Sequence, residues 1–342
     1  RQIQFQITAS PVRSDLTIPT PGPVEFNGTW TPGADLRGPL AARLRTRGAL
    51  LYDWMPVITG QDPHVYGVLD FDAQLSGSLP QLLVEGQTTL AQVHRLEELP
   101  PSDPMPWTVQ FRVRLTRGYA HVQVESLDAS FADSHLRLTG SAGNLPSGPQ
   151  IDCVASLEHA RLEDVLAVVR RLWPRANRWS VKGRVDAMLA IQGPWKERRY
   201  GGFVGAHEVT LETPSGVFPL SEIAVRIENG GLSLAPVQIT LAPRVALSAQ
   251  GSIDRTNLGP KYEVLLAARG IPLHNALSFG RAMGMHALQG MDATGSVTAS
   301  IHLAGSAWPW ARPLLTAHAD LRAARLLIPG LTEPLNLPRA TV

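Results

Sequence analysis

Gly67-Val68-Leu69-Asp70-Phe71-Asp72-Ala73-Gln74-Leu75-Ser76-Gly77 alternates apolar and polar residues between two glycines, the pattern of a β-strand with one oily and one wet face. Gly183 to Gly193 and Gly295 to Gly305 repeat the pattern, their starts separated from the preceding one by 116 and 112 residues. Leu69, Phe71 and Leu75 mark the oily side of the first copy, Val185, Leu189 and Ile191 that of the second, and Val297, Ile301 and Leu303 that of the third. Such spacing is too long for a solenoid turn and suits one multi-stranded unit, so the chain reads as a tandem array.

Other landmarks keep nearly the same register. Gly28-Thr29, Gly140-Ser141 and Gly251-Ser252 divide the chain into 1–27, the end of a preceding repeat, then 28–139, 140–250 and a truncated 251–342. Within a frame the order is strand, short helix, then a run of strands. Val109, Phe111 and Val113 alternate with Gln110, Arg112 and Arg114, and Asn229-Gly230 is a strong hairpin signal. Helices are expected near 49–58, with Pro56 ending or bending the first, near 161–173, stopped by Pro174, and near 273–287. The proline-rich stretches 18–23 and 99–106 suit rim loops, because proline cannot serve a central ladder. The fold class is mainly β: an elongated, repetitive antiparallel structure with short inserted helices.

Composition bounds the function without naming it. The chain is 44% hydrophobic and 18% charged with a formal net charge of +2, which is globular and leaves no broad phosphate footprint, so nucleic acid is not an expected partner. A single cysteine, Cys153, cannot form an intrachain disulfide. The histidines are scattered; there is no His-Glu-x-x-His, no paired-cysteine metal signature, no nucleophile elbow and no phosphate loop. His207 and Glu208 are adjacent and, on a regular strand, face opposite ways. Asp70 and Asp72 share the wet face and read as solubilising charge. No catalytic residue, metal or cofactor is expected. Trp195, and Trp308 with Trp310, follow the framed strands and either cap the oily surface or line a rim where acyl chains meet headgroups.

The recurring frame of a strand ending in glycine and then Pro or Ser resembles the repeats of the AsmA-like family, with its YhdP and TamB branches. It occurs here as Leu75-Ser76-Gly77-Ser78, Ile191-Gln192-Gly193-Pro194 and Leu303-Ala304-Gly305-Ser306, and downstream as Leu138-Thr139-Gly140-Ser141 and Ala249-Gln250-Gly251-Ser252. The resemblance implies a β-taco with a U-shaped groove, similar to bridge-like lipid transfer proteins. It further implies non-enzymatic phospholipid transport between membranes and a contribution to outer-membrane integrity. The implied setting is the periplasm of a diderm bacterium, with an inner-membrane anchor outside this chain and with inner- and outer-membrane protein partners.

On that reading phospholipid acyl chains are the partner, and the lining is Leu69, Phe71, Leu75, Val109, Phe111, Val113, Val185, Leu189, Ile191, Val297, Ile301 and Leu303. Sheltering an acyl chain from water is worth about 0.8 kcal/mol per CH₂, on the order of 10 kcal/mol for a whole tail. Two other readings use the same strands: a structural or scaffolding β array whose oily faces meet in a closed core about 10 Å thick, and a TamB-like role in outer-membrane protein assembly.

Overall fold

The computed structural model describes the chain except residues 1, 12–21, 34–36, 61–63, 97–104, 117–119, 146–147, 173–179, 214–215, 257–258, 307–313 and 342. The prolines of 18–21 and 100–104, Pro174, Trp308 and Trp310 therefore lie outside the described residues. Two compact units are present: one of Arg1–Ala160, Asp164–Asn177 and Met188–Arg199, the other of Arg161–Glu163, Arg178–Ala187 and Tyr200–Val342.

Along the chain the first elements are β1 (Ile3–Ala9), β2 (Val24–Trp30), β3 (Pro39–Leu50), α1 (Leu51–Thr59), β4 (Val65–Ser78), β5 (Gln81–Arg95), β6 (Trp107–Thr116), β7 (His121–Phe131), β8 (Ser134–Gly143), β9 (Gln150–Arg161) and α2 (Leu162–Leu172). Next comes β10 (Ser180–Pro194), whose two halves belong to different units. There follow β11 (Arg199–Thr213), β12 (Gly216–Pro219), β13 (Ile223–Glu228), β14 (Gly231–Ala242), β15 (Val245–Thr256), β16 (Gly259–Pro272), α3 (Leu273–Ala282), β17 (Asp292–Ser306), β18 (Leu314–Leu327) and β19 (Leu335–Thr341). The fold is mainly β with short inserted helices.

In the first unit each strand from β1 to β9 pairs antiparallel with its successor. In the second, β11 pairs with β12 and β13, and the meander runs on to β19. Among the described residues the last strand of neither unit returns to pair with the first. Each sheet is thus open, of the β-taco kind, and not closed into a barrel.

The helices arise from a recurring backbone device. Gly48, His159 and Gly270 adopt the left-handed conformation, with φ of 65°, 50° and 60°, and lie 111 residues apart. Each sits three residues before a helix start, at Leu51, Leu162 and Leu273. The residues flanking each one are both buried: Thr46 and Ala49, Leu157 and Ala160, Ala268 and Ile271. Two outward residues between two inward ones make a β-bulge, which sharpens the local twist and bends the strand end. The ladder register shifts accordingly between Thr46 and Ala49 and between Ala268 and Ile271. The amide freed at the bulge is recaptured by the facing strand: Gly48 N–H donates to Asp70 Oδ1 at 2.7 Å, and Gly270 N–H to Thr298 Oγ1 at 3.0 Å.

The chain then turns into a helix at the end of the sheet. Leu273 of α3 packs with Ala268, Ile271, Ala293, Val297 and Ala324, with Leu277 at the margin of this cluster. Phe279 meets Phe218 edge-on at 5.2 Å, alongside Leu211 and Ala282. Burying a side chain such as Leu273, Ile271 or Val297 contributes about 1.5–3 kcal/mol. In the first unit Asp164 of α2 is tied to the β7–β8 turn by Ser134 Oγ at 2.9 Å. Pro56 does not end α1: the helix continues to Thr59 and closes with Gly60 N–H donating to Pro56 O at 2.9 Å. Proline at the sixth helical position removes one N–H donor, and the remaining turns hold.

Gly140 occupies the middle of β8 with φ of 149°, and a Cβ there would stand 2.3 Å from Asp152 O. Gly140→Ala is expected to cost roughly 1–3 kcal/mol in backbone strain and lower the melting temperature by roughly 2–4 °C per kcal/mol. An unchanged melt in differential scanning calorimetry would refute the close approach of β8 and β9.

Candidate functional site

Cross-strand registers assemble the oily face of the first unit row by row. Leu75, Val84, Val113, Val124, Gly140 and Cys153 stand opposite one another from β4 to β9. The next rows hold Ala73, Gly86, Phe111, Leu127 and Leu138, then Phe71, Thr88, Val109, Ala129 and Leu136. Leu69 continues the face toward α1 through Leu90 and Trp107. Phe71 and Phe111 stack at 5.6 Å and 21° although a whole strand lies between them. The intervening Gly86 makes this possible, since a Cβ there would stand 2.8 Å from the Ala73 methyl.

Leu69, Phe71, Leu75, Val109, Phe111 and Val113 are therefore brought together on one face. All six are half-buried. Leu189 and Ile191 belong to the same unit and are also half-buried.

Val185, Val297, Ile301 and Leu303 lie in the second unit. Val185 is 3% exposed and Val297 7%, so both are core. Val297 belongs to the cluster that α3 closes. Along the same face of β17 cover diminishes: Ile301 pairs with Leu266, and Leu303 with Val264, where the face opens. There an apolar cavity of about 510 Å³ is lined by Val225, Leu232, Leu234, Ile253, Val264 and Leu303, with Tyr262 at its wall. Leu303, Val264, Gly251, Leu234 and Val225 form its floor as one row across five strands. The helix end of the sheet is plugged and the opposite end is open.

The other face is charged. In the first unit Arg43 Nε donates to Asp72 Oδ1 at 2.7 Å, Arg112 bridges Glu85 and Glu125 at 2.8 Å each, and Arg114 reaches Glu125 at 2.7 Å. The Arg43 hydrogen bond holds the Asp72 carboxyl below its usual range, and the Arg114 hydrogen bond does the same for Glu125. In the second unit Lys182, 2.7 Å from Glu212, lowers that carboxyl similarly. Burial pushes the Cys153 thiol on the oily face upward.

His207 and Glu208 depart from regular alternation. Glu208 is left-handed with φ of 54°, and Ala206 and Val209 on either side are buried. The bulge turns both polar side chains to the charged face, where His207 approaches Asp186 at 3.6 Å and Glu208 approaches Arg184 at 4.0 Å. Among the described residues no His, Cys, Asp and Glu cluster forms a metal-holding group, and no helix is long and apolar enough to cross a membrane.

Alternation in single strands could not identify Val84, Gly86, Thr88, Leu90, Leu127, Leu138 and Cys153 as neighbours of the chosen residues. Glycine and threonine interrupt the pattern of β5, and the register shift between Val124 and Leu127 interrupts that of β7. In comparisons with known proteins the chain matches no protein-family model, no curated protein and no solved structure.

The depressed carboxyls fix the sign of an acid effect. Their ion pairs stabilise the fold above the ordinary carboxylate range, near pH 4, and this is lost as pH falls through the lower folded values. Asp72→Asn with Glu125→Gln is expected to melt slightly below the parent at neutral pH, with the gap closing toward about pH 2. A gap that stays constant in melts across that range would show that these pairs are not the cause.

Proposed function

We propose that the chain is a non-enzymatic lipid-handling segment that carries phospholipid acyl chains on its open apolar face, in the manner of AsmA-like proteins of the bacterial cell envelope. The observation that carries this reading is the apolar cavity at the unplugged end of the second unit's sheet. Its volume falls within the range of about 300–1,000 Å³ usual for ligand sites. Its floor consists of aliphatic side chains and a glycine, which offer an acyl chain contact without direction. Each methylene taken from water gains about 0.8 kcal/mol, so affinity grows with chain length and not with headgroup chemistry. Headgroup discrimination is correspondingly weak.

The half-buried face of the first unit supports the same role. A closed scaffold would seal side chains such as Phe71, Leu75 and Phe111, whereas here they remain partly accessible. We place the chain in the periplasm of a diderm bacterium, with membrane partners engaged through other parts of the protein.

Purified protein is expected to release phospholipid into organic extracts analysed by mass spectrometry. Leu303→Glu, which leaves the α3 cluster intact, should reduce that lipid while circular dichroism stays unchanged. Folded parent protein that carries no lipid, and acquires none when incubated with phospholipid, would sink the reading.

Cys153 provides a second measurement in the first unit. Its raised pKa makes thiolate scarce at neutral pH, so alkylation is followed near pH 9. Added phospholipid should slow the alkylation several-fold. Equal rates with and without lipid would exclude the face around Cys153 from the lipid path.

A further inference from the structure

At the end of β10 the first unit carries a short exposed tip, 194–199, of sequence Pro-Trp-Lys-Glu-Arg-Arg. Trp195 is 54% exposed. It opens a short 3-10 turn, Trp195–Glu197, directly after the strand ends at Pro194. The tip has built contacts. Trp195 N–H donates to Pro149 O at 2.8 Å, Arg198 Nη1 donates to Trp195 O at 3.1 Å, and the Arg198 guanidinium stands 4.7 Å from the indole centroid. The Pro149 bond joins the tip to the chain just before β9. Lys196, Arg198 and Arg199 are all exposed, against the single acidic Glu197.

This combination lies at the end of the sheet opposite α1 and α2. An indole is an amphipathic group suited to the level of lipid headgroups, and lysine and arginine reach their charges toward phosphate. We propose that the 194–199 tip is a docking site for the anionic phospholipid headgroups of a bilayer surface. Trp195 inserts at the interface, Arg198 holds the indole outward, and Lys196 and Arg199 pair with headgroup phosphates. Lipid handling by the oily face, as read above, gives such docking its use: a membrane-seated tip would place the end of that face where acyl chains leave the bilayer.

The full chain is mixed with vesicles of phosphatidylcholine, or of phosphatidylcholine with phosphatidylglycerol, and binding is read by co-sedimentation. Expected is binding to the phosphatidylglycerol vesicles that weakens with salt, and little binding to phosphatidylcholine alone. Lys196→Gln and Arg199→Gln should each lower the apparent affinity about fivefold, the equivalent of about 1 kcal/mol per cation at an anionic surface. Trp195→Ala should weaken binding while leaving the salt dependence in place.

Inorganic phosphate at matched ionic strength should not displace the protein. Displacement by phosphate would mean a site for the free anion and overturn the docking assignment, as would tip variants that bind phosphatidylglycerol vesicles as tightly as the parent. Lipid co-purification, measured on the same variants, should be unchanged. Undiminished vesicle binding by the tip variants with normal lipid content defeats the docking site alone, and parent protein that neither carries nor acquires lipid while still binding vesicles through the tip defeats the lipid-handling reading alone.

Discussion

A sheet one layer thick, apolar on one side and charged on the other, cannot satisfy both faces with water, and the architecture follows from that conflict. Backbone hydrogen bonds pair successive strands within each meander, so the interior ladder does not depend on a second layer. The oily face does, because exposed hydrocarbon costs about 25 cal/mol per Å². Here the cover is partial: Val297 lies under α3, whereas Leu303, on the same face of the same strand, lines an open cavity. A face left partly bare is a cost to folding that a bound hydrocarbon chain would offset.

The bulge and helix together control where cover falls. A regular strand would run straight past the end of its partner. With Gly48, His159 or Gly270 left-handed, the strand end bends and delivers a short helix at the end of the sheet. Gly86 acts in the opposite sense, keeping the middle of the first unit's face low enough for Phe71 and Phe111 to meet over it. In the second unit α3 covers one end of the apolar face, while an apolar cavity opens at the other.

The charged face has a separate task. Exposed pairs such as Arg112 with Glu85 and Glu125 add little stability individually. They do make the faces unmistakable, since a one-residue register slip would put arginine on the oily side and phenylalanine on the wet one. The 194–199 tip differs in composition: three exposed positive groups and one carboxylate stand beside an exposed indole, with Arg198 held against that indole.

The chain alone determined the strands and their facing wherever alternation is strict. Leu69, Phe71 and Leu75 share a face for no reason beyond the period of an extended backbone, and the 111-residue recurrence of the bulges follows the spacing of landmarks such as Gly140 and Gly251. Burial was beyond its reach, because Val185, Val297 and Leu303 are equivalent in pattern yet two are core and one lines a cavity. For Val297 that difference comes from α3, whose Leu273 packs in the same cluster. Similarly, Glu208 turned to the face of His207 only because the backbone went left-handed between Ala206 and Val209. The period of two fixes a side chain's direction along a strand; its neighbours across five strands, and the cover above them, depend on register and packing that only the tertiary fold decides.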